Sequence, residues 1–181
     1  MTPEEYKQLK AFARQDGALL SLLWIAALVC YIIGMANSMM AMASMLLAVV
    51  SPFYAANRLR HYRDEVLEGF ISFMRAYGYT VLTYFYAGLL LAVAIWVYFS
   101  FLDKGYLMGK ISEAFLSEQG QQMMTLYGIT EQMKQGLEQM SQMRPIDHAL
   151  NMLTINITAG FILGMPVAAL MQRKRVQRVG R

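Results

Sequence analysis

Charge is scarce in this chain: only 15% of its 181 residues are Asp, Glu, Lys or Arg, whereas 57% are hydrophobic. That balance lies outside the usual soluble range and places the chain in a membrane. Cysteine occurs once, as Cys30 inside the first apolar run, so no intramolecular disulfide forms and the residue reads as a small packing group. Histidine occurs twice, as His61 and His148. The topology that the charges imply puts the two on opposite sides of the bilayer, with Cys30 inside it, which excludes a shared metal site. No GxGxxG, Walker-type GxxxxGK[ST], HExxH or GxSxG pattern occurs, and Asp147 beside His148 is a neighbouring pair rather than part of a triad. Internal repeats and low-complexity tracts are also missing.

What the chain does have is three uncharged runs, at residues 17–57, 76–102 and 148–172. The first is too long for one crossing and suits two helices of about 20 residues joined by a tight turn, so four crossings are expected. Lys7, Lys10 and Arg14 ahead of an apolar stretch, with Ala41-Met42-Ala43 downstream, imitate a secretory signal. The stretch exceeds a signal core of roughly 7–15 residues and runs into a second span, so it is expected to be kept as a span.

Residues 2–16 are expected to form a short amphipathic helix, with Thr2 as N-cap, Pro3 at the first position and Glu4 and Glu5 at the positive end of the dipole. Tyr6, Leu9, Phe12 and Ala13 share one face, and the segment is read as lying on the membrane before turning in. The spans are expected at about 18–35, 39–57, 76–102 and 150–171, with the first turn at Gly34 to Ser38 and a kink at Ser51-Pro52. Residues 58–75 are expected to be a charged cytoplasmic segment continuous with the third span, making one long helix from Tyr62 to Leu102. Residues 103–149 form the one sizeable loop, read as two amphipathic helices broken near Gly120 and Gly128. A basic tail at 172–181 ends the chain.

Lys and Arg number three before the first span, four between the second and third, and five after the fourth, against four in the long loop and none in the first turn. By the positive-inside rule both termini are cytoplasmic. Acidic residues divide six and six, giving the cytoplasmic face +6 and the outer face −2.

Four constellations invite a functional reading. Glu68, Ser72, Arg75, Tyr79, Thr83 and Tyr86 fall on one face at helical spacing, descending from the charged segment into the bilayer. With Arg58 and Arg63 nearby they form a candidate head-group or partner site, with Arg75 as bidentate donor to an anionic or phosphate-bearing group. The competing reading has Arg75 snorkelling and the tyrosines belonging to the interfacial belt. Arg58, Arg60 and Arg63, together with the tail, make a basic surface that is mostly a topology signal; it hugs the membrane without interleaved aromatics, so nucleic acid is not an expected partner. The 16 methionines, clustered at Met39 to Met45 and in the outer loop, suit Cu(I) or an adaptable contact surface. Asn156, Gly160, Gly164 and Ala168 form a small-residue ridge on the last span, suited to helix packing within the bundle or between copies. His61, Asp64, Glu65 and Glu68 are the only acid or base groups clustered on one side, and they read as a solvated helix end rather than a catalytic pair.

YRDEVLEGFISF, followed by a span ending in WVYFSFLDKGYL, resembles the bacterial membrane protein family catalogued as domain of unknown function 4199. Tyr62, Arg63, Asp64, Gly69, Ile71, Ser72 and Phe73, with Tyr98, Phe99 and Asp103, carry the likeness. The resemblance implies four spans and an inner-membrane location, and it brings no catalytic residues and no cofactor. Through genomic association it points to a polyprenyl-phosphate glycosyltransferase as partner. The expectation is therefore an all-α, four-span protein acting as a non-catalytic accessory or scaffold subunit, in contact with membrane lipids and another integral membrane protein or a second copy of itself. The alternative is a small transporter, channel or head-group binder.

Overall fold

The computed structural model describes residues 1–173. Among them are seven α-helices: α1 (Pro3–Gly34), α2 (Ser38–His61), α3 (Phe73–Val97), α4 (Tyr106–Leu116), α5 (Glu118–Tyr127), α6 (Thr130–Gln142) and α7 (Pro145–Met171). One π turn, Tyr62–Val66, extends α2, and another, Tyr98–Leu102, extends α3. No strand forms among the described residues beyond an isolated bridge between Ile71 and Arg173. Four helices, α1, α2, α3 and α7, are long and apolar enough to cross a membrane. Of the basic tail, residues 174–181 lie outside the described residues.

Helix α1 is a single rod, not a surface helix followed by a span. Thr2 and Glu5 form a capping box at its start, and its 32 residues reach roughly 48 Å, well beyond a bilayer core of roughly 30 Å. Most of the face expected to lie on lipid is instead turned to protein: Leu9 and Ala13 are buried and Phe12 packs on Tyr62 with ring centroids 5.1 Å apart, while Tyr6 stays exposed. A partner helix alongside removes the reason for the segment to bend onto the membrane.

The turn between α1 and α2 falls at Met35 to Asn37, where the Asn37 side chain accepts from the backbone N–H of Met39 at 3.0 Å. Gly34 permits it, because a Cβ there would come within 2.7 Å of the Ala41 backbone nitrogen. Pro52 lies inside α2 without ending it.

The expected continuous helix from Tyr62 to Leu102 is broken. Tyr62–Val66 belongs to the end of α2, and the chain reverses at Glu68 and Gly69, whose φ values of 55° and 85° are left-handed. Gly69 N–H donates to the Arg63 carbonyl at 2.9 Å, holding the reversal, and Ser72 caps α3 by accepting from Arg75 N–H at 3.4 Å. Ile71 exchanges two backbone hydrogen bonds with Arg173, of 3.1 and 3.0 Å, so the end of α7 is stitched to this turn.

Helix α3 is the centre of the bundle, packed along α1 on one side and α7 on the other, while α2 rests mainly on α1. Apolar surface gives little drive to helix association in lipid, so close approach at small residues does the work. A Cβ on Gly17 would lie 2.7 Å from the Cβ of Tyr86, one on Gly160 would lie 2.7 Å from the Cβ of Tyr84, and Gly164 faces the Tyr77 ring. Ala168 is fully buried, and Asn156 sets its Cβ against Gly88. The ridge of α7 is thus turned inward onto α3.

The segment between α3 and α7 holds three short helices where two were expected. The breaks fall near the two expected glycines: Ser117 ends α4 and caps α5 by accepting from Gly120 N–H at 3.1 Å, and Gly128, left-handed at φ 64°, ends α5. Asp103, buried at the exit of α3, accepts from the backbone N–H groups of Gly105 and Leu107 at 3.0 Å each, and His148 stacks on Phe99 with centroids 4.1 Å apart.

Gly160→Val is expected to lower stability by about 1–3 kcal/mol through overpacking against Tyr84, whereas Gly78→Ala, with open space around it, is expected to be tolerated. Titration with a denaturing detergent, followed by circular dichroism, reads both.

Candidate functional site

The site lies where α1, α2 and α3 meet at the end of the bundle that also holds the Glu68–Gly69 turn and the end of α7. Asp16 is its centre. This residue is 1% exposed at the point where the uncharged run of α1 begins. Its Oδ1 accepts from Arg58 of α2 at 2.6 Å, and its Oδ2 accepts the hydroxyl proton of Tyr79 of α3. One carboxylate therefore ties three helices together. Burying an isolated carboxylate is costly, and a charged hydrogen-bond donor on one oxygen with a phenol on the other offsets that cost.

The Tyr79 ring stacks on Tyr62 at 4.9 Å, with planes 11° apart. Above Tyr62, Arg75 donates from Nη2 to the Tyr62 hydroxyl and from Nη1 to Glu5, each at 3.2 Å. Its Nε is buried without a hydrogen-bond partner among the described residues. Arg63, 3% exposed, clasps the neighbouring Asp64 with two hydrogen bonds of 2.7 and 3.0 Å, and donates from Nη1 to the Met171 carbonyl at 2.9 Å. A guanidinium there meets the negative end of the α7 dipole and an otherwise orphaned carbonyl. Arg60 with Asp64 and His61 with Glu65 are exposed pairs at 3.6 and 2.9 Å and add little stability.

Of the residues expected in the candidate site, Arg75 and Tyr79 of the stripe come together here with the neighbouring Arg58 and Arg63. The others do different work. Ser72 is a helix cap, Glu68 sits in the left-handed turn, and Thr83 bonds its own helix at the Tyr79 carbonyl, 2.8 Å away. Tyr86 lies further into the bundle, its Cβ against Gly17 and its ring edge-on to Phe85.

The residue that pattern reading missed is Asp16. The signal was present: Asp16 and Arg58 are the charges that bracket the 41-residue uncharged run, and Asn37 at its turn stands midway between them. A hairpin folded at its middle brings its two ends together. Among the described residues, no group of three His, Cys, Asp or Glu side chains is placed to hold a metal. Outside the spanning helices, the Glu113 carboxylate at 2.6 Å raises the Lys110 ammonium above its ordinary range, an exposed pairing with no bearing on the site.

The fold and site define a four-helix membrane protein whose charged end is held by ion pairs within its own chain. The family described as Protein of unknown function (DUF4199) matches residues 15–173, and the chain belongs to that family. No curated protein and no solved structure matches it. Tyr62, Arg63, Gly69 and Ile71, which carry the family likeness, are the residues that build the turn and stitch α7 to it.

Asp16→Ala, which strands Arg58 and the Tyr79 hydroxyl, is expected to cost about 3 kcal/mol, and Tyr79→Phe about 1 kcal/mol. Glu5→Ala, which removes the Arg75 partner and one half of the α1 capping box at the exposed end of the helix, is expected to cost clearly less than Asp16→Ala. Unfolding in mixed micelles measures all three; an Asp16→Ala protein as stable as the parent would show the carboxylate to be idle.

Proposed function

We propose that this chain is a non-catalytic accessory or scaffold subunit of a complex in the bacterial inner membrane, oriented with the charged end and both termini in the cytoplasm. The single observation that supports this reading is that Arg58, Arg63 and Arg75 each have a carboxylate partner in their own chain, Asp16, Asp64 and Glu5 respectively. Cations already neutralised in this way serve to hold helices in place rather than to take up an anion. The opposite end offers contact surface: Leu116, Leu126 and Tyr127 are exposed on the short helices α4 and α5. A polyprenyl-phosphate glycosyltransferase, the partner class implied by the family resemblance, is the first candidate.

A second reading, a site for an anionic lipid head group, is favoured by one atom. The buried Nε of Arg75 leaves one donor unused beside the bonds to Glu5 and Tyr62. A phosphate oxygen at Nε would then compete with Glu5 for the guanidinium.

Purification in mild detergent from native membranes at natural abundance, with mass spectrometry of proteins and lipids, separates the two. The subunit reading predicts a stoichiometric integral membrane protein that is lost with Leu126→Glu and retained with Arg75→Ala. A lone chain carrying one phosphorylated lipid, released by Arg75→Ala, would overturn it in favour of the head-group site.

A further inference from the structure

A cleft of about 380 Å³ lies between α1, α2, α3 and α7, away from the charged end and open on one side. It exists because α2 rests on α1 and meets α3 and α7 only lightly, while the small side chains of Ala48 and Ala159 leave the space between them unfilled. Its walls are almost wholly carbon. Ser44 Oγ donates to the Ala27 carbonyl at 2.9 Å, and the Asn156 amide nitrogen donates to the Met152 carbonyl at 2.8 Å, so these wall donors are engaged within the chain.

Tyr84 is different. The residue is 1% exposed, its ring is set edge-on against Trp24 at 5.3 Å, and its hydroxyl is buried without a hydrogen-bond partner among the described residues. The Ser51 hydroxyl stands close enough to donate to the Tyr84 oxygen, which leaves the Tyr84 proton itself without an acceptor among the described residues. Within hydrocarbon such a donor has no solvent to turn to. Its depth narrows the choice of acceptor. With its π turn, α3 runs from Phe73 to Leu102, and Tyr84 stands three to four residues short of the middle, roughly 5 Å along the axis. Phospholipid esters sit at the edge of the hydrocarbon, roughly 15 Å from its centre, too far out to reach Tyr84.

We propose that this cavity binds a membrane-dissolved molecule that joins an apolar tail to a carbonyl group carried deep into the bilayer, with the carbonyl oxygen accepting a hydrogen bond from the Tyr84 hydroxyl and the apolar body lying between Trp24 and Ala159. The volume falls within the range of small-molecule sites, which are mostly apolar with a few placed polar groups. Two sources share this chemistry: a quinone with an isoprenoid-type tail and a free fatty-acyl compound.

Trp24 is a built-in reporter. The chain has two tryptophans; Trp96 is 41% exposed on α3, so Trp96→Phe leaves Trp24 as the sole emitter at the cavity wall. The full chain with this change is reconstituted into phosphatidylethanolamine and phosphatidylglycerol vesicles. It is titrated in one arm with a short-tailed benzoquinone and in the other with a fatty-acid methyl ester brominated along its chain. Saturable quenching of Trp24 is expected in at least one arm, and the arm identifies the source. Tyr84→Phe, which keeps the ring and its packing on Trp24, is expected to raise the half-saturating concentration at least tenfold, and Ala159→Phe to abolish saturation by filling the cavity. Quenching that rises linearly with probe mole fraction in both arms would overturn the proposal. So would saturable quenching unchanged by Tyr84→Phe.

Discussion

Asp16 holds a carboxylate where the hydrocarbon begins, and a charge in that position persists only if cations and donors are brought to it. Arg58 and Tyr79 are those groups, and their demands fix much else. To reach Asp16, α2 must return alongside α1 in register, which sets the turn at Asn37. For Tyr79 to reach it, α3 must approach α1 closely, and Gly17, the next residue, removes the side chain that would meet Tyr86. The stacked ring of Tyr62 then supports Tyr79 from the side of the Glu68–Gly69 turn.

Holding the bundle by paired charges at one end has a consequence for function. Arg63 and Arg75 are drawn into the same arrangement through Asp64, the Met171 carbonyl, Glu5 and Tyr62. The charged end is consequently a fastening, and exposed apolar side chains stand elsewhere, at Leu116, Leu126 and Tyr127 on the short helices and along the cleft beside Tyr84. As proposed, the first meets a large partner and the second holds a small apolar molecule.

Much of this was legible beforehand. Hydropathy and length marked four helices long and apolar enough to cross a membrane, because every spanning segment must satisfy its own backbone. The turn at Gly34 to Ser38 followed from turn-forming residues acting locally, and small residues marked Gly160 and Gly164 as a packing face, with packing inside the bundle or between copies left open. What was not legible depended on neighbours. Leu9 and Phe12 read as lipid-facing until Tyr62 is placed against them, so α1 was divided where it is continuous. The helical spacing from Glu68 to Tyr86 ran through Gly69 without interruption, yet tertiary pairing of Ile71 with Arg173 holds a reversal there. Asp16 drew no attention because a lone acid at the mouth of a span resembles any other flanking charge until the hairpin is closed.

The most direct measurement is a double-mutant cycle on Asp16 and Arg58, using Asp16→Asn, Arg58→Gln and the pair, with unfolding free energies measured in mixed micelles. If their ion pair fastens α1 to α2, the two changes are coupled by at least about 1.5 kcal/mol, the pair losing much less than the single changes together. Additive losses, within about 0.5 kcal/mol, would contradict it and leave Asp16 a buried charge that the fold tolerates without depending on it.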